Sequence, residues 1–234
     1  MTGRFLDRQE AGRALARRLR ALTLPAPVVV LALPRGGVPV AAEVAKVLGA
    51  PLDLILVRKI GAPWEHELAI AAVVDVGQPE IVVDEQTRAY GGVEMSSIEA
   101  QASKEWREIE RRRAVYRQGR PPVPLEGTTT IVVDDGIATG TTVRAALRAV
   151  RRRHPARLIL AVPVAPRETV QALQNEVDQI VCLEQPHPFH AIGLHYDDFH
   201  QLDDDEVIAA MDSVPPSPQT APKAPCAPVP ARRA

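Results

Sequence analysis

The sequence lacks the features of several common protein classes. Its two cysteines, Cys182 and Cys226, lie far apart, so they offer neither a disulfide framework nor the spacing of a metal site. No apolar run approaches the roughly 20 residues that a membrane span needs, and the first residues lack the apolar stretch of a secretory signal. We therefore expect a protein of the reducing cytoplasm that has no membrane partner.

An excess of one charge sign is also lacking, and aromatic residues are scarce. The 234 residues include 28 Lys and Arg against 29 Asp and Glu, which argues against a protein that holds nucleic acid by bulk charge. Only 3% of the residues are aromatic although 46% are hydrophobic, so the core is expected to consist of Ala, Val, Leu and Ile. A chain of this length can bury such a core.

Proline is abundant but unevenly spread. Many of the 22 prolines follow Val214, in a segment that has almost no large apolar side chain to bury. Such a composition is typical of disorder. We therefore predict a folded domain over residues 1–212 and a disordered, proline-rich tail over residues 213–234.

Strand-like and helix-like patterns alternate along the predicted domain. Apolar, β-branched runs typical of buried strands occupy residues 28–33, 52–57, 129–133, 158–164 and 179–183. Two further strands are expected at 68–76 and 81–84. Helical patterns occupy residues 7–22, 38–48, 94–117 and 168–175, and another helix follows Thr142 and ends at about residue 153. This alternation predicts an α/β fold with a doubly wound, mainly parallel sheet flanked by helices. The arginines of helix 7–22 could form a nucleic-acid patch but are better explained as a solvated face.

The most distinctive segment follows the predicted strand 129–133. There an apolar strand delivers two adjacent carboxylates, Asp134 and Asp135, to its tip, and a loop of Thr and Gly then opens a helix. Backbone N–H groups at a helix start can cradle a phosphate, while two carboxylates can accept hydrogen bonds from a vicinal diol. Together they describe a ribose 5-phosphate. The simpler alternative is a helix cap followed by a first turn at Thr139 to Thr142, which would not need the full pattern.

This segment resembles the phosphoribosyl-pyrophosphate (PRPP) motif of the type I phosphoribosyltransferases: a hydrophobic strand, two acids and a small-Thr-Gly-x-Thr loop. The resemblance implies that Asp134 and Asp135 hold the ribose hydroxyls and reach a Mg²⁺ ion, which the oxygens of the substrate would mostly hold. The residues that would wrap the 5-phosphate are Ala138, Thr139, Gly140, Thr141 and Thr142.

Two other loops fit the same family. Pro34-Arg35-Gly36-Gly37 resembles its pyrophosphate loop, and Arg58-Lys59 resembles the basic pair that reaches pyrophosphate from the other side. Since all three segments follow apolar strands, we expect them to converge, and the resemblance then spans about residues 28–165. It implies transfer of the phosphoribosyl group from PRPP to a nitrogenous acceptor, a nucleobase being favoured, with release of pyrophosphate as in nucleotide salvage. The negative charge on the leaving pyrophosphate would be neutralised by Arg35, Arg58 and Lys59. Catalysis would then consist mainly of positioning and electrostatic stabilisation by these residues and the two acids.

Family members also carry a lid and an acceptor-selecting hood. An insertion at about 61–127 provides the candidate lid, Gly61 to Glu67, in which Trp64 and His66 are equally compatible with an exposed turn. A hood at about 184–205 loosely resembles the end segment of hypoxanthine-guanine enzymes. Phe189 would then stack on the acceptor, and Ile137 is the second candidate acceptor-binding residue. Four histidines have no diagnostic metal spacing and no assigned role: His187, His190, His195 and His200.

Departures from the family pattern leave the acceptor open. Purine enzymes of the hypoxanthine-guanine type place an Asp at the position of Ala138, whereas Ala138-Thr139-Gly140 resembles the adenine and uracil branches. Uracil enzymes, however, usually have Pro after the first acid, where this chain has Asp135. The resemblance implies a homo-oligomer. Two alternatives to an enzyme remain: a PRPP-binding regulator without turnover, and a scaffold domain normally fused to a hydrolase. Regulators tend to lose pyrophosphate-loop residues, whereas this chain keeps Arg35, Gly36, Gly37 and Lys59.

Overall fold

The protein is built around two β-sheets of opposite character. The computed structural model describes residues 4–62 and 64–215. The strands are β1 (Val28–Ala32), β2 (Leu52–Leu54), β3 (Leu56–Ala62), β4 (Glu65–Asp75), β5 (Pro79–Val83), β6 (Thr129–Val133), β7 (Arg157–Val164) and β8 (Gln179–Glu184). The α-helices are α1 (Arg8–Arg20), α2 (Gly37–Leu48), α3 (Glu85–Gly91), α4 (Met95–Arg117), α5 (Thr141–Arg151), α6 (Arg167–Leu173) and α7 (Asp204–Asp212). Most of the predicted tail, residues 216–234, lies outside the described residues.

The main sheet has five parallel strands in the order β2-β1-β6-β7-β8. Its central strands are apolar, β-branched runs, and all five residues of β6 are buried. Alternate residues of each strand point to opposite faces, where helices cover them. On one face Val30 and Ile131 pack with Leu15 of α1 and Val44 of α2. The predicted doubly wound parallel sheet is confirmed.

The opposite face of the main sheet has its own apolar cluster. Leu31 and Val132 pack there with Leu147 of α5 and Leu173 of α6. Both large clusters consist mainly of Ala, Val, Leu and Ile, with Tyr116 as a buried aromatic ring in the first of them, so the predicted aliphatic core is confirmed. Among the described residues, no helix combines the length and apolar character required to cross a membrane.

The second sheet is antiparallel, in the order β3-β4-β5. The apolar run 52–57, predicted as one strand, is divided at Ile55: β2 pairs with β1, whereas β3 pairs with β4. The chain therefore passes from one sheet to the other within a single apolar run. Helix α4 packs against this second sheet and shares the apolar cluster that covers α1 and α2.

Candidate functional site

Two of the three predicted loops meet at the carboxyl edge of the main sheet. The Leu33 N–H donates to the Val133 carbonyl at 3.0 Å, which ties the loop after β1 to the end of β6. A Cβ atom on Gly36 would lie 2.0 Å from Asp135 Oδ2, and one on Gly37 would lie 2.9 Å from Asp134 Cα. Only glycine fits such an approach, so Gly36 and Gly37 allow the loop after β1 to contact the two acids. The Pro34–Arg35 peptide bond is cis.

The loop between β6 and α5 presents a run of free backbone donors. Within the described residues, none of the N–H groups of residues 138–143 donates to a protein acceptor. Gly140, with φ 78°, is the N-cap of α5, and its left-handed conformation turns the chain into the helix. The Thr169 hydroxyl donates to the Ala138 carbonyl at 2.6 Å and fixes the loop from α6. Free N–H groups at the positive end of a helix form an anion-binding site.

The two acids beside this loop have different environments. Asp135 is only 8% exposed, and its Oδ2 accepts a hydrogen bond from Arg8 Nε at 2.8 Å. Asp134 is half-buried, and its Oδ1 accepts from the Asp135 N–H at 2.9 Å. Burial raises the pKa of Asp134 well above its usual range, and the adjacent Asp135 carboxylate raises it further. Burial also raises the pKa of Asp135, against the opposing effect of Arg8.

The basic residues predicted for pyrophosphate do not all face the loop. Lys59 is exposed on β3, whereas Arg58 donates from Nε to Glu105 of α4 at 2.6 Å. Neighbouring residues of a strand point to opposite faces, so Arg58 and Lys59 do not act as a pair in this structure. Arg35 is half-buried and forms no ion pair within residues 4–62 and 64–215.

Lys59 lines a cleft that ends on the loop between β6 and α5. This cleft, of about 200 Å³, separates the three-stranded sheet from the start of α5. Thr139 and Thr141 line it from the loop, and Arg144 lines it from α5. Arg148 also lines this cleft, and Asp84 is its one acid. A larger cavity of about 540 Å³ lies between α1, α2 and α7, where four acids outnumber the cations Arg8 and Lys46; the acids are Asp7, Glu43, Asp198 and Glu206. Since like charges repel, a polyphosphate fits the first cleft better than the second.

Comparison with known proteins agrees with this geometry. The family model described as the phosphoribosyl transferase domain matches residues 3–198. The chain belongs to the phosphoribosyl transferase domain family. The crystal structure of TT1426 from Thermus thermophilus is 42% identical and superposes with a TM-score of 0.80, covering 90% of this chain and 99% of that chain.

Two curated relatives from Mycobacterium tuberculosis match most of this phosphoribosyl transferase domain. They are named "Putative phosphoribosyl transferase MT0597", from strain CDC 1551 / Oshkosh, and "Putative phosphoribosyl transferase Rv0571c", from strain ATCC 25618 / H37Rv. Each is 44% identical over 208 residues, which cover 89% of this chain and 46% of the relative. The chain thus spans about half the length of these relatives.

The candidate lid of this phosphoribosyl transferase domain lies at the turn between β3 and β4. Trp64 is 55% exposed, and one edge of its ring covers Gly91, where a Cβ atom would lie 2.0 Å from the ring. Pro63 lies outside the described residues, as does the side chain of His66. Trp64 therefore joins the turn to the end of α3, a helix that sequence analysis did not predict.

The hood packs on the segment that carries the acids. Ile192 lies against Gly136, where a Cβ atom would meet Ile192 Cγ2 at 2.5 Å. The Tyr196 hydroxyl donates to the Asp135 carbonyl at 2.5 Å. Phe189 stacks on His195 with ring centroids 5.7 Å apart, so one face of the predicted acceptor platform is already covered. Ile137 is 3% exposed and packs in the core rather than toward the hood.

At this site the described residues offer two adjacent carboxylates to a metal ion, those of Asp134 and Asp135. Among the described residues, no group of three or more His, Cys, Asp or Glu side chains could hold a metal. His200, for example, contacts Asp198 and Glu206, each at 2.8 Å, and their carboxylates raise its pKa. Asp134 and Asp135 offer hard oxygen donors of the kind Mg²⁺ accepts alongside phosphate oxygens and water.

Sequence analysis missed the residue that pairs with the Asp135 carboxylate. Arg8 was expected on a solvated helix face, but it is 6% exposed, and that interpretation is wrong for this residue. The other arginines near it in sequence, Arg13 and Arg17, are exposed as expected. Its position as the first helical residue, one turn before the apolar face begins, is the only hint in the sequence. Its partners lie more than a hundred residues away in the chain, at Asp135 and His200.

Proposed function

We propose that this protein is a Mg²⁺-dependent phosphoribosyltransferase that moves the 5-phosphoribosyl group of PRPP to a nitrogenous acceptor, with a nucleobase favoured. The observation that carries the proposal is the row of free N–H groups at residues 138–143, directly beside Asp134 and Asp135. Phosphate on those donors and the ribose hydroxyls on the acids match the two ends of one ligand. Family membership and the printed names of the relatives support the same class of reaction.

The charges around the site suit a polyphosphate donor. Lys59 faces the loop across the cleft, and Arg35 stands beside Gly36 and Gly37, which touch the acids. In the reaction, the bond from C1 of the ribose to the pyrophosphate oxygen breaks and its electron pair leaves with pyrophosphate. The lone pair of the acceptor nitrogen forms the new bond to C1, and the proton of that nitrogen passes to water. Arg35 and Lys59 would neutralise charge on the departing pyrophosphate, while the acids hold the sugar in place. Arg58 would contribute only if its contact with Glu105 opened.

A bound Mg²⁺ would supply further charge neutralisation at the pyrophosphate. Asp134 is the acid better placed to reach it, because Arg8 already engages Asp135. The protein would otherwise leave the ion to phosphate oxygens and water. The acceptor itself would enter beside Phe189 and the hood. An assay with a panel of nucleobases would identify the base. A homo-oligomer remains part of this proposal.

An assay of pyrophosphate release tests the proposal. The wild type is incubated with PRPP, Mg²⁺ and each of the common nucleobases, and release should require PRPP and one class of acceptor. Asp135→Asn keeps the shape of the side chain and removes its charge, so we expect turnover to fall about a hundredfold. Asp212→Asn is the matched control, because Asp212 is an exposed acid paired with Arg120 away from the loops.

Two results would overturn the proposal in different ways. PRPP binding without release of pyrophosphate for any acceptor would replace the enzyme with a PRPP-binding regulator. Equal turnover in Asp135→Asn and in the wild type would remove the acid from the sugar site. A fall in Asp212→Asn as large as in Asp135→Asn would show that the assay reports stability rather than the site.

A further inference from the structure

We propose that Arg8 is a positioning residue that holds Asp135 in place for the ribose of PRPP. This inference rests on the proposed function and adds a part of the chain that lies outside all three phosphoribosyl-binding loops. Arg8 begins α1, far from β6 in sequence, and it is the one basic side chain of the described residues in hydrogen-bond contact with the Asp135 carboxylate.

The helix itself does not explain the burial of Arg8. The N-cap of α1 is Asp7, whose Oδ1 accepts from the Glu10 N–H at 2.7 Å, so the end of the helix is already satisfied. A cation in the first turn opposes the helix dipole. Burying it costs further free energy unless it is paired. Arg8 must therefore be held by its partners and not by its helix.

Those partners are three residues from two separate parts of the chain, the tip of β6 and the hood. Nε donates to Asp135 Oδ2 at 2.8 Å, and Nη1 donates to the His200 carbonyl at 2.9 Å. The guanidinium Cζ lies 4.0 Å from the centroid of the Phe199 ring. The planar guanidinium suits this use, because it can donate in two directions and stack at the same time. Arg8 thus links α1, the hood and the tip of β6.

Gly36 of the loop after β1 and Tyr196 of the hood hold Asp135 on its other sides. Gly36 leaves no room beside its carboxylate, since a Cβ atom there would lie 2.0 Å from Oδ2. The Tyr196 hydroxyl holds the Asp135 carbonyl. Arg8 therefore takes one carboxylate oxygen and fixes the rotation of the side chain, so that the second oxygen is the one left for a ligand hydroxyl. Asp134, which no basic side chain contacts in the described residues, differs from Asp135 in this respect.

A double-mutant cycle with calorimetric titration of Mg²⁺ and PRPP tests this role. The proteins are wild type, Arg8→Met, Asp135→Asn and the double variant, with Arg17→Met as the control because Arg17 is exposed on the same helix. We expect Arg8→Met to weaken binding about tenfold in the wild-type background and to have little further effect beside Asp135→Asn. Arg17→Met should bind as the wild type does.

Arg8→Lys keeps the inference testable if Arg8→Met does not fold. Lysine retains the charge, but it lacks the planar fork that reaches Asp135 and the His200 carbonyl together. We expect it to recover part of the affinity, and a melting curve for each variant separates folding from binding. A residue with only a structural role would lower the melting temperature without coupling to Asp135.

The outcomes separate this inference from the proposed function. If the wild type binds PRPP and folded Arg8→Met binds equally well, the positioning role is wrong while the proposed function stands. The same holds if the losses from Arg8→Met and Asp135→Asn simply add, because independent residues show additive effects. If the folded wild type does not bind PRPP, the proposed function fails and takes this inference with it.

Discussion

Two buried arginine–aspartate pairs occupy different parts of the molecule. Arg8 Nε lies 2.8 Å from Asp135 Oδ2 at the carboxyl edge of the main sheet, and Arg117 Nε lies 3.0 Å from Asp53 Oδ1 where α4 meets β2. Each of the four residues is less than 10% exposed, and burial raises the pKa of both acids. Burial and pKa therefore do not distinguish the pairs.

The hydrogen bonds around the acids do distinguish them. Asp53 accepts from the Leu54 N–H at 2.8 Å, from the Val123 N–H at 2.9 Å and from Arg117, which also donates to the Leu54 carbonyl. Its carboxylate is thus fully used by the protein. Among the basic side chains of the described residues, only Arg8 donates a hydrogen bond to the Asp135 carboxylate, which lies beside free backbone N–H groups. A saturated pair joins elements of the fold, whereas a pair with acceptor capacity left over can serve a ligand.

The largest effect is expected from the saturated pair. Asp53→Ala removes the hydrogen-bonded carboxylate of the buried Arg117 guanidinium and leaves only Asp75, whose Oδ2 lies 3.9 Å from Arg117 Nη1, so the free energy of unfolding should fall by about 3–5 kcal/mol. Chemical denaturation measures this loss. Under conditions in which the variant is folded, its affinity for Mg²⁺ and PRPP should match the wild type. A variant with normal stability and lost PRPP binding would break the distinction between the two pairs.

Gly36 provides the next largest effect, on the ligand side of the comparison. In Gly36→Ala the new Cβ would collide with Asp135 Oδ2, and a displacement of about 1 Å at a site of this kind can cost about a hundredfold. We expect a loss of that size in PRPP affinity. Gly49→Ala is the control: at φ 61° it strains the end of α2, but its Cβ meets nothing within 4 Å. That control should cost about 1 kcal/mol of stability and leave the affinity unchanged.

Lys59 tests the cleft on the other side of the loop. Lys59→Gln removes the cation that lines the cleft opposite Thr139, so PRPP affinity should fall about tenfold. Calorimetric titration at low and high salt provides the measurement, and the loss should shrink as salt rises. Lys46→Gln, in which an i,i+3 contact with Glu43 is lost on α2, should have no effect on affinity. Equal losses in both variants would mean that only net charge matters.

A surface cluster on α4 sets the lower end of the scale. Arg111 and Arg112 donate to Glu108 and lower the pKa of its carboxyl to about 2. A depressed carboxyl pKa stabilises the fold above the unfolded value and loses that contribution as the pH falls through the folded value. Glu108→Gln should therefore lower the free energy of unfolding by less than about 1 kcal/mol at pH 7, and the difference should vanish near pH 2. A loss at pH 7 as large as that of Asp53→Ala would contradict the contrast between buried and exposed pairs.

Local patterns predicted the main sheet and the start of a helix shortly after the two acids. The strand at Thr129–Val133 is confirmed residue for residue, because an apolar, β-branched run buried on both faces has few other solutions. The division of the run 52–57 at Ile55 was not predicted, since both strands are apolar and only their partners differ. The opposite directions of Arg58 and Lys59 follow from strand alternation once β3 is known.

Long-range contacts account for what sequence analysis missed. Arg8 meets Asp135 across 127 residues, and Arg117 meets Asp53 across 64. A helical periodicity identifies the buried stripe of a helix but not which polar residue at its edge finds a buried partner. Phe189 shows a different limit, because His195 is near it in sequence and their stacking depends on how the hood folds back on itself.

The most direct test of the proposed PRPP site is a calorimetric titration of PRPP with Mg²⁺ into the wild type, Asp134→Ala/Asp135→Ala and Asp53→Ala. We expect micromolar binding to the wild type, loss of that binding in the double variant, and unchanged affinity in folded Asp53→Ala. Absence of binding to a folded wild type, or equal binding by the double variant, would contradict it.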